Sequence, residues 1–206
     1  MYTIRLASLD DLDALCHARY RVYVEMDGFL PPNSQQQITD RFDGIPESTH
    51  IVAEAQGRIV GAVRLTRWSP DGLPAFDYFD FRPYLPAVDE KIANGSLIFV
   101  ETSFRRTRMG QNLMMHWYAE LLALECTHAI GVLNPPLIPW LSAHGFKAVA
   151  DAMSDPHTGL PFVPLVLDLQ HLNPEVAATA RRLGTLSPEG RYYDELSAPP
   201  SREQAP

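Results

Sequence analysis

The amino-acid sequence predicts an α/β (α+β) protein, with one mixed central sheet flanked by helices and a splayed pair of parallel strands near its middle. Three observations carry this. The runs His50–Ala55 and Arg58–Thr66 alternate around the turn pair Gln56-Gly57 and read as a β-hairpin. Two short apolar runs, Ser96–Val100 and Ala129–Leu133, bracket a helical stripe and read as parallel strands buried on both faces. Strand and helix patterns alternate along most of the chain, in the order β-α-(α)-β-β-(irregular)-β-α-β-α-β-β. With 206 residues, 46% of them hydrophobic, the chain can bury one sizeable core. Residues 1–172 are expected to form that domain, and 173–206 a short helix and a polar tail.

Taken in order, Tyr2–Ala7 alternates as a strand. Ser8 opens a helix with Asp10 and Asp11 in its first turn, where the dipole favours acids. Its apolar face is Leu12, Leu15, Cys16, Tyr20 and Tyr23, and Gly28 ends it. Arg19 and Arg21 ride on different faces of this helix, and each taken singly reads as a solvated side chain. A polar connection, Pro31-Pro32-Asn33 and Gln35-Gln36-Gln37, leads to Ile38–Glu47, whose Asp40, Arg41 and Asp43 make it too polar for core. In the hairpin, Gly61 marks a bulge or a close backbone approach. Arg64 lies on a mostly apolar strand and needs a partner, for which Asp40 and Asp43 are candidates. Trp68–Ser96 is irregular, and its aromatics read as packing, with a lid over a pocket as the alternative. Further on come a turn into a strand at 145–150, a final strand at Phe162–Leu169 and a helix at Pro174–Leu183. Residues past about Tyr193 read as disordered. His157, in a turn, is a candidate base, although loop histidines are more often simply exposed.

Chemistry concentrates between Ser96 and Phe146. The first strand delivers Glu101, Thr102 and Ser103 to its end, followed by a turn with Arg105, Arg106, Arg108 and Gly110 and a helix over Gln111–Cys126. A strand, a basic turn and a helix N-terminus make an anion site, because unpaired N–H groups and the helix dipole converge there. The pattern suits a donor carrying phosphates, with Glu101 as a nearby base; the alternative is a structural crossover with solvated arginines. The net charge of -8 and pI of 5.3 give no electrostatic case for a nucleic-acid binder. Cys16 and Cys126 sit in apolar helical patterns and read as buried thiols, so neither a disulfide nor a metal site is expected. No run of about 18 apolar residues and no leader pattern is present, so the expectation is a cytoplasmic protein without a membrane span.

Over residues 2–169 the order of elements resembles the GNAT acyltransferase fold. The turn after Ser96–Ser103 looks like that family's pyrophosphate loop: Arg105 and Gly110 fit, while Arg108 stands where a first glycine is expected. Asn134 with Trp140–Phe146 resembles the later part of the pattern, with Leu141 in place of the tyrosine that many acetyltransferases use as an acid. A closer resemblance is to acyl-homoserine-lactone synthases and the related N-acyl amino acid synthases. It rests on Arg19, on Tyr23 for a usual phenylalanine, on Phe29 for a usual tryptophan, and on the acidic pair Asp40 and Asp43. It continues through Arg64-Leu65 and Glu101-Thr102-Ser103, with the following arginine displaced by Phe104 to Arg105. The amino acid synthase branch, or an uncharacterised relative of it, fits better than the lactone synthases.

The resemblance implies an N-acyltransferase that moves an acyl group from an acyl-carrier-protein or CoA thioester to the amine of a small amino acid or similar acceptor. In that role Glu101 takes the proton, and Ser103 with backbone N–H groups holds the oxyanion. Arg105, Arg106, Arg108, Gly110 and Asn134 hold the donor. Arg19, Tyr23, Phe29, Asp40, Asp43 and Arg64 form the acceptor side, a purely structural ion network being the alternative. The acyl chain lies in a slot lined by Trp117, Trp140 and Phe146. No cofactor is bound permanently; acyl-ACP, through its phosphopantetheine, or acyl-CoA is the co-substrate, and acyl carrier protein is a candidate partner. Two rivals are a conventional acetyl-CoA-dependent N-acetyltransferase of a small amine and a non-catalytic acyl-binding or regulatory module.

Overall fold

The computed structural model describes residues 1–155, 158–187 and 189–194, so His157 and residues 195–206 of the polar tail lie outside the described residues. Nine strands form one twisted layer: β1 (Tyr2–Leu6), β2 (Ser48–Ala55), β3 (Arg58–Arg67), β4 (Ile92–Val100), β5 (His128–Leu133), β6 (Lys147–Ala148), β7 (Met153–Ser154), β8 (Pro161–Asp168) and β9 (Arg191–Tyr193). Their spatial order is β6-β8-β5-β4-β3-β2-β1-β9, with β7 beside β8. Neighbours are antiparallel except β4 and β5. The exception follows from the helical crossover between them, since a parallel return needs a long connection.

Helix α1 (Leu12–Tyr20) covers one face, with Leu15, Ala18 and Val22 packed on Val52, Ile59, Ala62 and Phe99. It runs on as a wider π-turn, Arg21–Met26. Helix α2 (Met109–Ala123) covers the other face, burying Leu113, Met114, Trp117 and Leu121. Helix α3 (Ile138–Ala143) follows β5, and helix α4 (Pro174–Leu183) lays Ala177 and Ala180 against the α2 side of the core. Beyond it, β9 pairs with β1 and Tyr193 stacks on Tyr2 at 5.4 Å. Pro174–Leu183 and Arg191–Tyr193 therefore complete the same core and sheet.

The β2–β3 hairpin is as expected, and its register shifts by one residue between Ala53 and Glu54, opposite Gly61. Gly61 also meets the close approach expected of it: a Cβ there would lie 3.2 Å from Leu113, Met109 and the Phe99 carbonyl. β4 begins at Ile92, four residues before its expected start. The polar letters of Lys91–Ser96 conceal a strand because Asn94 is buried with a partner, accepting from the Ala75 amide at 2.8 Å. The aromatics of the irregular segment form their own small core, with Phe81 fully buried between Phe76 and Phe79.

Candidate acyl-transfer site

β4 and β5 pair from Ile92 opposite His128 to Asn94 opposite Ile130, and then part. Gly131 allows the backbones to pass, since a Cβ there would sit 2.9 Å from the Gly95 carbonyl oxygen. Past the fork, the β3–β4 register jumps from Arg64 opposite Ser96 to Ala62 opposite Phe99. That bulge places Leu97 at a positive φ of 51°, a conformation most side chains avoid. The backbone of Leu97 and Ile98 is thus released from both neighbouring ladders, leaving donors and acceptors at the mouth of the fork.

Between the splayed strands and α2 lies a slot of about 20 Å³, lined by Val63, Ile98, Met114, Leu133, Leu141 and Phe146 with Trp117 across it. Trp117 and Phe146 flank it as expected, their rings stacked at 5.9 Å, whereas Trp140 stands outside it near Gly110. The Trp117 indole N–H is buried with no acceptor among the described residues. Its ring presses on Gly95, where a Cβ would lie 2.7 Å from Cζ2. In its resting form the slot has room for about one water molecule, so an acyl chain enters only if these side chains move.

On the α1 face of the same strands, four expected residues meet in one cluster. Arg19 Nη1 donates to both oxygens of Asp43 at 2.8 and 2.9 Å. Arg64 reaches Asp43 at 2.9 Å and Asp40 at 2.6 and 2.7 Å, while its Nε donates to Ser96 Oγ at 3.0 Å. Both guanidiniums are 1% exposed. Burial on its own pushes the Asp43 carboxyl up, but Arg19, the Asp40 amide and Arg64 outweigh it, and its pKa is lowered. His50, absent from the sequence expectations, joins the cluster: its Nδ1 accepts from Arg19 at 3.2 Å, which leaves Nε2 to donate to the Asp43 carbonyl at 3.0 Å. Burial lowers its pKa and keeps it neutral. Tyr23 Oη donates to the Ile98 carbonyl at 3.1 Å, and its ring meets Phe29 at 6.3 Å, so these two expected residues stand together beside the bulge. Burial raises the Tyr23 pKa, leaving a neutral phenol.

Glu101 departs from expectation. Instead of an open carboxylate beside the arginine turn, it is 1% exposed and accepts on both oxygens. Arg58 holds it at 2.8 and 2.9 Å and Arg21 Nε at 2.8 Å. Three guanidinium N–H groups thus engage the carboxylate, two on Oε1 and one on Oε2. Arg21, read from sequence as solvated, and Arg58 were not linked to Glu101, since 80 and 43 positions separate them from it.

Of the donor-side residues, Arg106, Arg108 and Gly110 lie at the start of α2. Arg105 is turned away, its Nη2 bound to both oxygens of Asp27 at 2.8 and 2.7 Å. Arg106 and Arg108 are exposed and have no ion-pair partner among the described residues. The amides of Gly110 and Gln111 precede the first intrahelical bond, from Asn112 to the Arg108 carbonyl. Ser103 is exposed in a single 3-10 turn, Thr102–Phe104, at the end of β4. Asn134 is half-buried at the end of β5.

Residues 14–168 match the family model described as N-acyl amino acid synthase FeeM. Among solved structures, a CoA-dependent acyl-homoserine lactone synthase, BjaI, seen with SAM and isopentyl-CoA, aligns with a TM-score of 0.71 at 15% identity, over 96% of this chain and 98% of that one. FeeM, an N-acyl amino acid synthase from uncultured soil microbes, aligns with a TM-score of 0.67 at 14% identity, over 83% and 92%. MesI, a CoA-dependent acyl-homoserine lactone synthase, aligns with a TM-score of 0.63 at 18% identity, over 87% and 94%. No sequence among the curated proteins matches the chain.

Proposed function

Because the chain belongs to the family of the N-acyl amino acid synthase FeeM, we propose that this acyltransferase moves an acyl group from a CoA or carrier-protein thioester to the amine of an amino acid or similar small acceptor. The observation that carries the reading is the fork. One strand pair opens at Asn94 and Ile130, a bulge at Leu97 frees backbone groups, and a helix start with two unpaired arginines lies beyond it. The donor phosphates would rest on the Gly110 and Gln111 amides with Arg106 and Arg108, where the helix dipole adds to the side-chain charge. The pantetheine arm would run along the free edge of β4, as a strand added to a sheet. Its thioester carbonyl would then lie at the bulge, within reach of released amides that can stabilise an oxyanion. Ser103 follows β4 and Asn134 follows β5, so both stand where the two splayed strands end.

The amine nitrogen attacks the thioester carbon, the carbon–sulfur bond breaks, and the thiolate leaves to be protonated, giving an amide and a free thiol. Attack needs a neutral amine, and an α-amino group has a pKa of about 8. We assign Glu101 a positioning role, because a carboxylate engaged by two guanidiniums is a poor proton acceptor. The acceptor amine then enters already deprotonated, with its ammonium proton lost to water. The Arg19–Asp43–Arg64–Asp40 cluster backs the acceptor side and fixes Ser96, while Tyr23, its ring against Phe29, donates to the Ile98 carbonyl. The narrow slot favours one second reading, transfer of a short acyl group such as acetyl. Thiol release with acyl-CoA and acyl-carrier donors of increasing length, each offered with a panel of amino acids, tests both. A longer acyl group transferred to an amino acid supports the synthase reading; turnover with acetyl alone supports the second; no thiol release with any donor refutes transfer.

A further inference from the structure

A cavity of about 330 Å³ lies on the α1 side of the sheet and is lined by Arg5, Asp11, His17, Arg21, Glu54 and Arg58. Its charges are separated into two poles. At one end two guanidiniums, Arg21 and Arg58, face the single carboxylate of Glu101. At the other, the single guanidinium of Arg5 is shared by two carboxylates: Glu54 Oε2 at 3.0 and 2.8 Å, and Asp11 at 2.8 and 2.9 Å. One end thus carries an excess positive charge and the other an excess negative charge. Each end also keeps an unused group: Arg21 Nη1 and Arg58 Nε as donors, and Glu54 Oε1 as an acceptor, have no partner among the described residues.

We propose that this cavity binds a small zwitterion, an α-amino acid, with its carboxylate on Arg21 and Arg58 and its ammonium on Glu54 and Asp11. A ligand with one charge would satisfy one pole and leave the other uncompensated, whereas a zwitterion complements both. The volume is at the lower end of the range for small-molecule sites, which suits a molecule of this size. The site is distinct from the fork. Two positions along the π-turn, Tyr23 points to the Ile98 carbonyl while Arg21 turns to this cavity. The proposal does not rest on acyl transfer, and no donor is needed to test it.

Isothermal titration of the intact protein with each of the common amino acids is the test, followed for the tightest by its N-acetyl derivative, which lacks the ammonium, and its amide, which lacks the carboxylate. The expected result is saturable binding, with each derivative weaker by at least about tenfold. Glu54→Gln is expected to weaken the amino acid by at least about tenfold, since Arg5 keeps Asp11 and the fold is retained, as thermal melting would show. Phe29→Ala, on the acceptor side of the fork, is expected to leave in place the binding event that Glu54→Gln weakens. The proposal is overturned if no amino acid binds below about 10 mM, if the derivatives bind as well as the parent, or if Phe29→Ala removes binding that Glu54→Gln leaves intact.

Discussion

Glu101 is buried behind Arg21 and Arg58, so its replacement is expected to act on stability before chemistry. Glu101→Gln leaves two guanidiniums short of their shared acceptor. Removing one member of a fully buried ion pair costs about 3–5 kcal/mol. Here the arginine side chains are 29% and 47% exposed and can rehydrate, so about 1–3 kcal/mol is expected from urea unfolding. The pH–rate profile should keep its rise toward about pH 8, because the titrating group is the acceptor amine; a lost or displaced alkaline rise in the variant would restore Glu101 as the base. His116 gives a second residue-scale expectation. Burial, with Arg191 nearby, pushes its pKa down to about 4 from 6.5, and its Nε2 lies 2.7 Å from Tyr193 Oη. The unfolded chain therefore takes up this proton first as pH falls. The contribution is intact above about pH 6.5 and is lost toward pH 4, by up to about 3 kcal/mol. His50, also lowered, adds a loss of the same sign, whereas Asp43 acts only in the acid range below the usual carboxylate value. His116→Phe should reduce the fall in urea midpoint between pH 7.5 and pH 5 without abolishing it.

Between elements, the fork and the helix start make separable contributions. Gly131 passes so close to the Gly95 carbonyl that Gly131→Ala must spread β4 from β5. A loss of about 1–3 kcal/mol is expected, typical of overpacking, with a change in which acyl lengths are accepted; an unchanged melting temperature would mean that the strands already have slack there. At the start of α2, Arg106→Glu with Arg108→Glu should raise the donor KM by at least about tenfold and leave kcat nearly unaltered, with the wild-type KM itself rising in high salt. Arg105 is expected to behave differently, because it bridges the donor turn to Asp27 at the end of the π-turn. On the proposed function, donor phosphates would compete with that carboxylate, so Asp27→Asn should tighten donor binding, measured directly by titration with CoA.

For the molecule as a whole, β9 closes one edge of the sheet by pairing with β1. Deleting residues 185–206 uncovers β1 and Tyr2, which is 4% exposed in the intact fold. A fall of several degrees in melting temperature and concentration-dependent association are expected, as for other opened sheet edges. Strands and helices were legible because they are written in local periodicity: the Gln56-Gly57 hairpin, the α2 stripe and the βαβ stretch each announce themselves within some 30 residues, whereas the acyltransferase fold came from the resemblance of their order to a known family. The need of Arg64 for an acid was legible too, since a charge on an apolar strand has few alternatives, and both candidate aspartates answer it. What escaped the sequence depends on register and distance. Gly61 was legible as a bulge, but that its one-residue shift brings His50 across from Arg64 was not, since no local pattern says which residues end up opposite. The confinement of Glu101 depends on arginines far away in the chain that reach one point only after α1 has packed on the sheet. Sequence alone thus determined the elements, their order and the residue types at the fork, because hydrophobic pattern and turn chemistry act over a few positions. Only the tertiary structure decided which charges face the ligand and which neutralise one another, because burial and pairing are properties of neighbours in space.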